Sequence, residues 1–225
     1  MYKFHNHPYL KLNLSQFNFN NHILNRFKNT FNYLPNDNYI KNNTRKRLYR
    51  NYIIEKEINN IFSIYPTSKN TFTQNVQDDR KNERTFELIS EPMNPFIIDF
   101  LTMSSKLLNH NHPFQKISVD FHQVRQVCYP NLESHNSMEG IHKDGADYII
   151  SATVLNRFNI TGGYSSIYDN NKNRLDTYLL NNNDFIFQND KDLYHYVSPI
   201  YYQPLTDATV NEGYRDIVGI DIKFI

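Results

Sequence analysis

Two side chains able to bind a metal, His142 and Asp144, stand two residues apart in EGIHKDGADYII at 139–150, at the mouth of an apolar run. On a strand, residues i and i+2 project from the same face. The pair would then offer one imidazole nitrogen and one carboxylate oxygen to adjacent corners of a coordination sphere. His195 in LYHYVSPI, the only histidine after His142, is the candidate for the third corner. Two imidazoles and one carboxylate on one triangular face leave three positions open, a ligand set suited to non-haem Fe(II) that must also take up a cosubstrate and O2. Arg215 in EGYRDIVGIDI opens a later strand. A buried arginine there would form a charge-assisted fork with the distal carboxylate of a 2-oxo diacid such as 2-oxoglutarate. Spacing alone leaves plainer readings open: Asp144 capping backbone amides at a strand start, His195 satisfied in a core, and Arg215 paired with Asp216 or Asp221.

These residues need a scaffold of short strands, and the C-terminal half has that pattern. Ile117, Val119 and Phe121 alternate in KISVDF, and HQVRQVCY, ADYIISATVL, YSSIYD, RLDTYLL, FIFQ, LYHYVSPI and RDIVGIDIKFI follow, separated by a GG turn at 162–163 and Asn-rich loops. Such spacing predicts an antiparallel sandwich or barrel over residues 116–225. Before it, FIIDFLTMSSKLL after Pro95 reads as an amphipathic helix, ERTFELIS at 83–90 as a short strand, and the polar stretch 66–84 as a loop. Leu24, Phe27, Phe31 and Leu34 recur at helical spacing, with Ser15 as the expected N-cap and Pro35 as the stop. Leu48, Tyr52, Ile58 and Phe62 likewise suggest a helix, so residues 1–65 are expected to be a mostly helical extension. The basic cluster Arg45, Lys46, Arg47 and Arg50 beside it reads as a solvated helical face, or else as a patch for a phosphate or an acidic partner.

The chain's 225 residues suit a single domain, and its single cysteine, Cys128, rules out an internal disulfide and fits a reducing compartment. A net charge of +1 argues against a uniformly basic surface for nucleic acid. No apolar run approaches a membrane helix and the first residues carry no signal-peptide pattern, so a cytoplasmic location is expected. The HNHP segments at 5–8 and 110–113 read as turns before proline rather than a second metal site. Ser165 and Ser166 lack a neighbouring base, and Cys128 reads as a buried, inert thiol.

The segments EGIHKDGADYI, VLNRFNITGGYSSIYD, YHYVSPI and GYRDIVGIDI closely resemble the bacterial 2-oxoglutarate/Fe(II)-dependent dioxygenases, in the family that contains L-isoleucine 4-hydroxylase. HQVRQV, ERTFELIS and TRKRLYR resemble its upstream motifs, so the likeness spans roughly residues 44–225. It implies an α+β protein with a double-stranded β-helix (jelly-roll, cupin-like) core and N-terminal helices packed on the sheet. It also implies Fe(II), 2-oxoglutarate and O2, and hydroxylation of a free, aliphatic L-amino acid. Position by position it makes His142, Asp144 and His195 the metal ligands and Arg215 the cosubstrate anchor. Tyr164 stands where the family's glutamate is expected after the GG turn, and Leu193-Tyr194 precede His195 where a basic, aliphatic stretch is more usual.

An amino-acid substrate needs a cation for its carboxylate and an acceptor for its ammonium. On one strand Gln123 and Arg125 share a face and His122 points the other way. Arg125 with Gln123, and Glu139, are therefore the candidate substrate-binding residues, with structural ion pairing as the other reading, and Arg125 is a second candidate for the cosubstrate. Other occupants of the same centre remain open: a peptide or secondary metabolite as substrate, a cupin-type dioxygenase without 2-oxoglutarate, or a non-catalytic jelly roll holding Zn²⁺.

Overall fold

Strict alternation of side chains between two faces of one large sheet organises most of the protein. The computed structural model describes residues 2–4, 7–40, 42–73, 83–204 and 210–225. In chain order the strands are β1 (Tyr9–Asn13), β2 (Arg45–Lys56), β3 (Phe62–Pro66), β4 (Thr71–Thr73), β5 (Glu83–Thr85), β6 (Lys116–Cys128), β7 (Tyr148–Phe158), β8 (Ile160–Gly162), β9 (Tyr164–Tyr168), β10 (Arg174–Leu179), β11 (Asp184–Asn189), β12 (Tyr194–Val197), β13 (Ile200–Tyr202) and β14 (Gly213–Phe224). The helices are α1 (Asn21–Thr30) and α2 (Pro95–Asn111). Seven strands form the major sheet in the order β1-β11-β7-β14-β6-β2-β3, and β10-β9-β12 form a smaller sheet facing part of it. The fold is the expected α+β jelly roll: a cupin-like pair of sheets with helices on the outer face of the larger one.

Each face has its own core. Val119, Phe121, Ile150, Phe185, Phe187, Val218 and Ile220 point outward beneath the helices, where they meet Phe27, Phe31, Phe96 and Phe100. Phe27 and Phe96 stack at 4.3 Å between ring centroids and tie α1 to α2. Val124, Ala152, Val154, Ile186 and Ile217 point inward against Ile167 of β9. The chain reverses across β6 and β14, which pair from Gly213–Cys128 to Phe224–Ile117 without a register shift, so every inward side chain of one has a fixed neighbour on the other. No helix among the described residues is long and apolar enough to cross a membrane.

The N-terminal extension departs from the helical expectation. Residues 45–56 are a strand, paired along its length with β6 and at its end with β3, and α1 is the only α-helix before residue 66 among the described residues. The i, i+4 pair Leu48 and Tyr52 mimicked a helix, but aromatic and β-branched residues (Tyr49, Tyr52, Ile53, Ile54) favour a pleated surface, and the long β6 offers a complete ladder of partners. Ile58, expected on the apolar helical face, is 84% exposed. Helix α1 begins later than Ser15 suggested: Asn20 is its N-cap, accepting from the His22 and Ile23 amides, while Ser15 belongs to a short 3-10 turn capped by Asn13. The chain becomes extended at Leu34, before Pro35. Of ERTFELIS only β5 and a bridge at Leu88 are strand-like. In the first HNHP, His5 and Asn6 lie outside the described residues, as do residues 74–82 of the expected loop; the second ends α2, where His112 packs on Phe224.

Cys128 closes β6, fully buried, with its thiol donating to the Gly213 carbonyl oxygen. Burial pushes its pKa up to about 11. At pH 8 it is therefore protonated as well as shielded. Iodoacetamide followed by mass spectrometry should show alkylation of the folded protein at least about 100-fold slower than of the urea-unfolded chain.

Candidate metal centre

His142 and His195 are brought together by backbone pairing. The His142 amide donates to the His195 carbonyl (3.0 Å) and the His195 amide returns to the His142 carbonyl (2.9 Å). This bridge lies where the 142–144 segment meets β12, and it sets the two rings side by side, 4.3 Å between centroids. Asp144 follows on the same side. Its Oδ1 is 3.6 Å from His142 Nε2 and its Oδ2 is 3.4 Å from His195 Nε2. One ligand atom from each of the three lies within 4.8 Å of the others, so the expected His–Asp–His set forms a cluster that fits one metal ion.

Neighbouring groups orient the cluster. His142 Nδ1 is 2.8 Å from the Gly140 carbonyl oxygen, so Nδ1 donates and Nε2 is the ligand-competent atom. Gly140 has φ +81°, the left-handed conformation that turns this carbonyl toward the ring. Glu139 Oε1 stands 3.0 Å from the same Nε2. Burial opposes protonation of His142, but the hydrogen bond and charge of Asp144, then Glu139, outweigh it and raise its pKa to about 9. Burial lowers His195 to about 4 against the pull of Asp144. Burial alone would raise Asp144, but the facing histidines hold it well below the usual carboxylate range.

Asp190 was not singled out by the sequence. It is almost fully buried, and its carboxylate accepts from three successive backbone amides, those of Asp144 (3.3 Å), Gly145 (2.8 Å) and Ala146 (3.1 Å). It thereby fixes the turn that carries Asp144. In Asp190→Ala those amides lose their acceptor and the ligand loosens. Fe(II) affinity should fall about 10–100-fold while the far-ultraviolet circular dichroism stays unchanged, as measured by competition with a chelator.

Arg215 lies on the inward face of β14, two residues before Ile217, which lines the cavity at the cluster. It is fully buried, and none of its guanidinium nitrogens has a hydrogen-bond partner among the described residues. Asp216 and Asp221 do not pair with it; they bind Arg125 and His122. Gln126 is its register partner on β6, and the Gln126 amide is likewise buried and unpartnered. So is the hydroxyl of Ser165, which points inward from β9 beside Ile167. Burial, reinforced by nearby Arg157, lowers the Arg215 pKa to about 9, which leaves it charged at neutral pH. A buried cation surrounded by unused donors and acceptors fits a carboxylate that the protein itself does not supply.

A cavity of about 100 Å³ opens at the cluster. Glu139 lines it, but Gln123 and Arg125 do not. They face the helices: Gln123 donates to Thr30 Oγ1 (2.7 Å), and Arg125 forms a two-point pair with Asp216 (2.6 and 2.9 Å). His122, on the opposite face as expected, is in the cavity, together with Arg45, Arg47, Arg84 and Asp221. Sequence reading missed Asp190, and it named Arg47 only within a basic cluster and Asp221 only as a possible partner of Arg215, placing neither at the metal centre. Strand alternation across RKRLYRN would have placed Arg45, Arg47 and Tyr49 on one face, but the segment had been read as a helix.

No curated protein is detectably similar in sequence. Solved structures are similar in fold. A bsmA homolog from Methylobium petroleophilum PM1 superposes with a TM-score of 0.83 at 16% identity, covering 97% of this chain and 89% of that one. IDO from Bacillus thuringiensis gives 0.75 at 17%, covering 96% and 90%. The Fe(II)/(alpha)ketoglutarate-dependent dioxygenase TqaL gives 0.71 at 15%, covering 96% and 82%. The sequence itself matches the 2OG-Fe dioxygenase family model over residues 28–221, nearly the whole span that builds the cluster and its sheets, and the chain belongs to that family.

Proposed function

We propose that this dioxygenase hydroxylates a C–H bond of a free, aliphatic L-amino acid, with Fe(II) held by His142, Asp144 and His195 and the distal carboxylate of 2-oxoglutarate held by Arg215. The observation that carries the centre is the occurrence together of a His–Asp–His cluster and a buried inward arginine with no hydrogen-bond partner among the described residues. Iron, 2-oxoglutarate and O2 together supply oxidative decarboxylation to succinate and CO2 coupled to insertion of an oxygen atom into a C–H bond. The chain supplies position and dryness. Asp190 and the Gly140 carbonyl hold the ligands, Arg215 orients the cosubstrate, and Val124 and Ile217 give the cavity an apolar wall that limits water.

The substrate reading rests on the cavity's lining. Charges of both signs beside aliphatic walls match a zwitterion with a short apolar side chain. The test is anaerobic loading with Fe(II) and 2-oxoglutarate, then O2 with each L-amino acid in turn, following succinate and product mass, with His142→Ala as control. Succinate coupled to a product one oxygen heavier supports the reading. Succinate formed with no amino-acid product sends the search to other small substrates, and iron binding without any succinate overturns the catalytic assignment.

A further inference from the structure

We infer that Arg47, fixed by His122 and Asp221 and packed on Phe86, is the receptor for the substrate's free carboxylate, so that the enzyme selects small acids over their neutral derivatives. Arg47, Tyr49 and Asn51 project from one face of β2, and the register Arg47–Val124 and Tyr49–His122 places that face beside the inward face of β6. The guanidinium lies 4.3 Å from the Phe86 ring centroid and 6.0 Å from that of Phe72. Arg47 Nη2 meets His122 Nδ1, and His122 Nε2 is 2.9 Å from Asp221 Oδ2. A guanidinium can only donate, so Nδ1 accepts and Nε2 carries the proton to Asp221. The imidazole is thus a neutral spacer that fixes one edge of Arg47 without cancelling its charge.

That arrangement distinguishes Arg47 from its neighbours. Arg45 is neutralised by Asp37 at 2.7 Å, and Arg84 lies over the Tyr39 ring. Arg47 lines the cavity with the cluster, has no carboxylate within salt-bridge distance among the described residues, and keeps its buried Nε without a partner. A planar fork with unused N–H groups recognises a carboxylate. The inference rests on the metal-centre assignment of the proposed function but not on the substrate's being an amino acid.

The experiment reads ligand binding with the anaerobic enzyme loaded with Fe(II) and 2-oxoglutarate, through the change in its visible charge-transfer band. The probes are L-isoleucine, L-isoleucinamide, which lacks the carboxylate, and 3-methylvalerate, which lacks the ammonium. In the wild type the carboxylate probes are expected to bind at least about 100-fold more tightly than the amide, and in Arg47→Met that preference should vanish. Arg47→Lys, with charge but no fork, should fall between. An intact band in each variant reports correct folding and cosubstrate binding. If 3-methylvalerate binds through Arg47 while no amino acid is turned over, the inference stands and the amino-acid reading falls. The inference is overturned if both carboxylate probes bind Arg47→Met as well as wild type, if the wild type prefers the amide or binds no probe, or if Arg47→Met loses 2-oxoglutarate instead.

Discussion

Asp144→Ala is expected to lose Fe(II) and activity together. Changes in the groups around a metal's ligands already cost about 10–100-fold in affinity, so loss of a ligand should cost at least about 100-fold, and turnover should fall by roughly three orders of magnitude. Asp144 lies between the two imidazoles and carries the negative charge of the cluster. Its backbone is held independently, by the amide contacts to Asp190, so the substitution should leave the turn in place. Chelator competition measures the affinity, and succinate release measures turnover. The competing arrangement has Glu139 as the carboxylate ligand, since its Oε1 is 3.0 Å from His142 Nε2. Under that arrangement Asp144→Ala would retain iron, and Glu139→Gln would lose it. With Asp144 as ligand the order is reversed, so the two single variants decide between the carboxylates.

The residues of the cluster were legible from their types and order, but not the way they are held. His142 and Asp144 lie in an irregular segment before β7 rather than on one strand face, and the backbone bridge from His142 to His195 brings the set together. The strands from Ile117 to Phe224 were legible for a related reason, since alternation with turn residues is read directly from sequence. Residues 45–56 were not. Leu48 and Tyr52 fit a period of four as well as a period of two, and what decided between them was β6, whose strand lies some 70 residues away. That one error hid the placement of Arg47 at the cavity, because a helix would have scattered the arginines that a strand aligns. For Arg125 the ion-pairing reading holds. Its charge was right for a substrate, but Asp216 follows Arg215 on the neighbouring strand and faces the helices with it. Sequence gives the face relative to a neighbour, and only the packed helices show which face is filled. Asp190 carried no signal at all, since a backbone-capping carboxylate in FQNDKD resembles any polar loop.

Arg215→Met should raise the KM for 2-oxoglutarate by about 100-fold or more with a smaller change in kcat, and at the same time make the ligand-free protein more stable. Both effects follow from one feature, a fully buried guanidinium without a hydrogen-bond partner among the described residues. Truncating one member of a buried ion pair costs about 2–5 kcal/mol of binding, which sets the loss for the cosubstrate. Before the carboxylate arrives, the cation's desolvation is uncompensated, so an apolar side chain of similar length is favoured there, by roughly 1–3 kcal/mol. For a chain of this size that corresponds to a rise in Tm of about 2–4 °C per kcal/mol. 2-Oxoglutarate should then stabilise the wild type thermally but not the variant, because a ligand raises stability only through the state it binds. A structural arginine gives the opposite pattern: the variant melts earlier and still responds to 2-oxoglutarate. The sign of the Tm change in the absence of ligand therefore separates an anchor kept for a cosubstrate from a residue kept for the fold, before any turnover is measured.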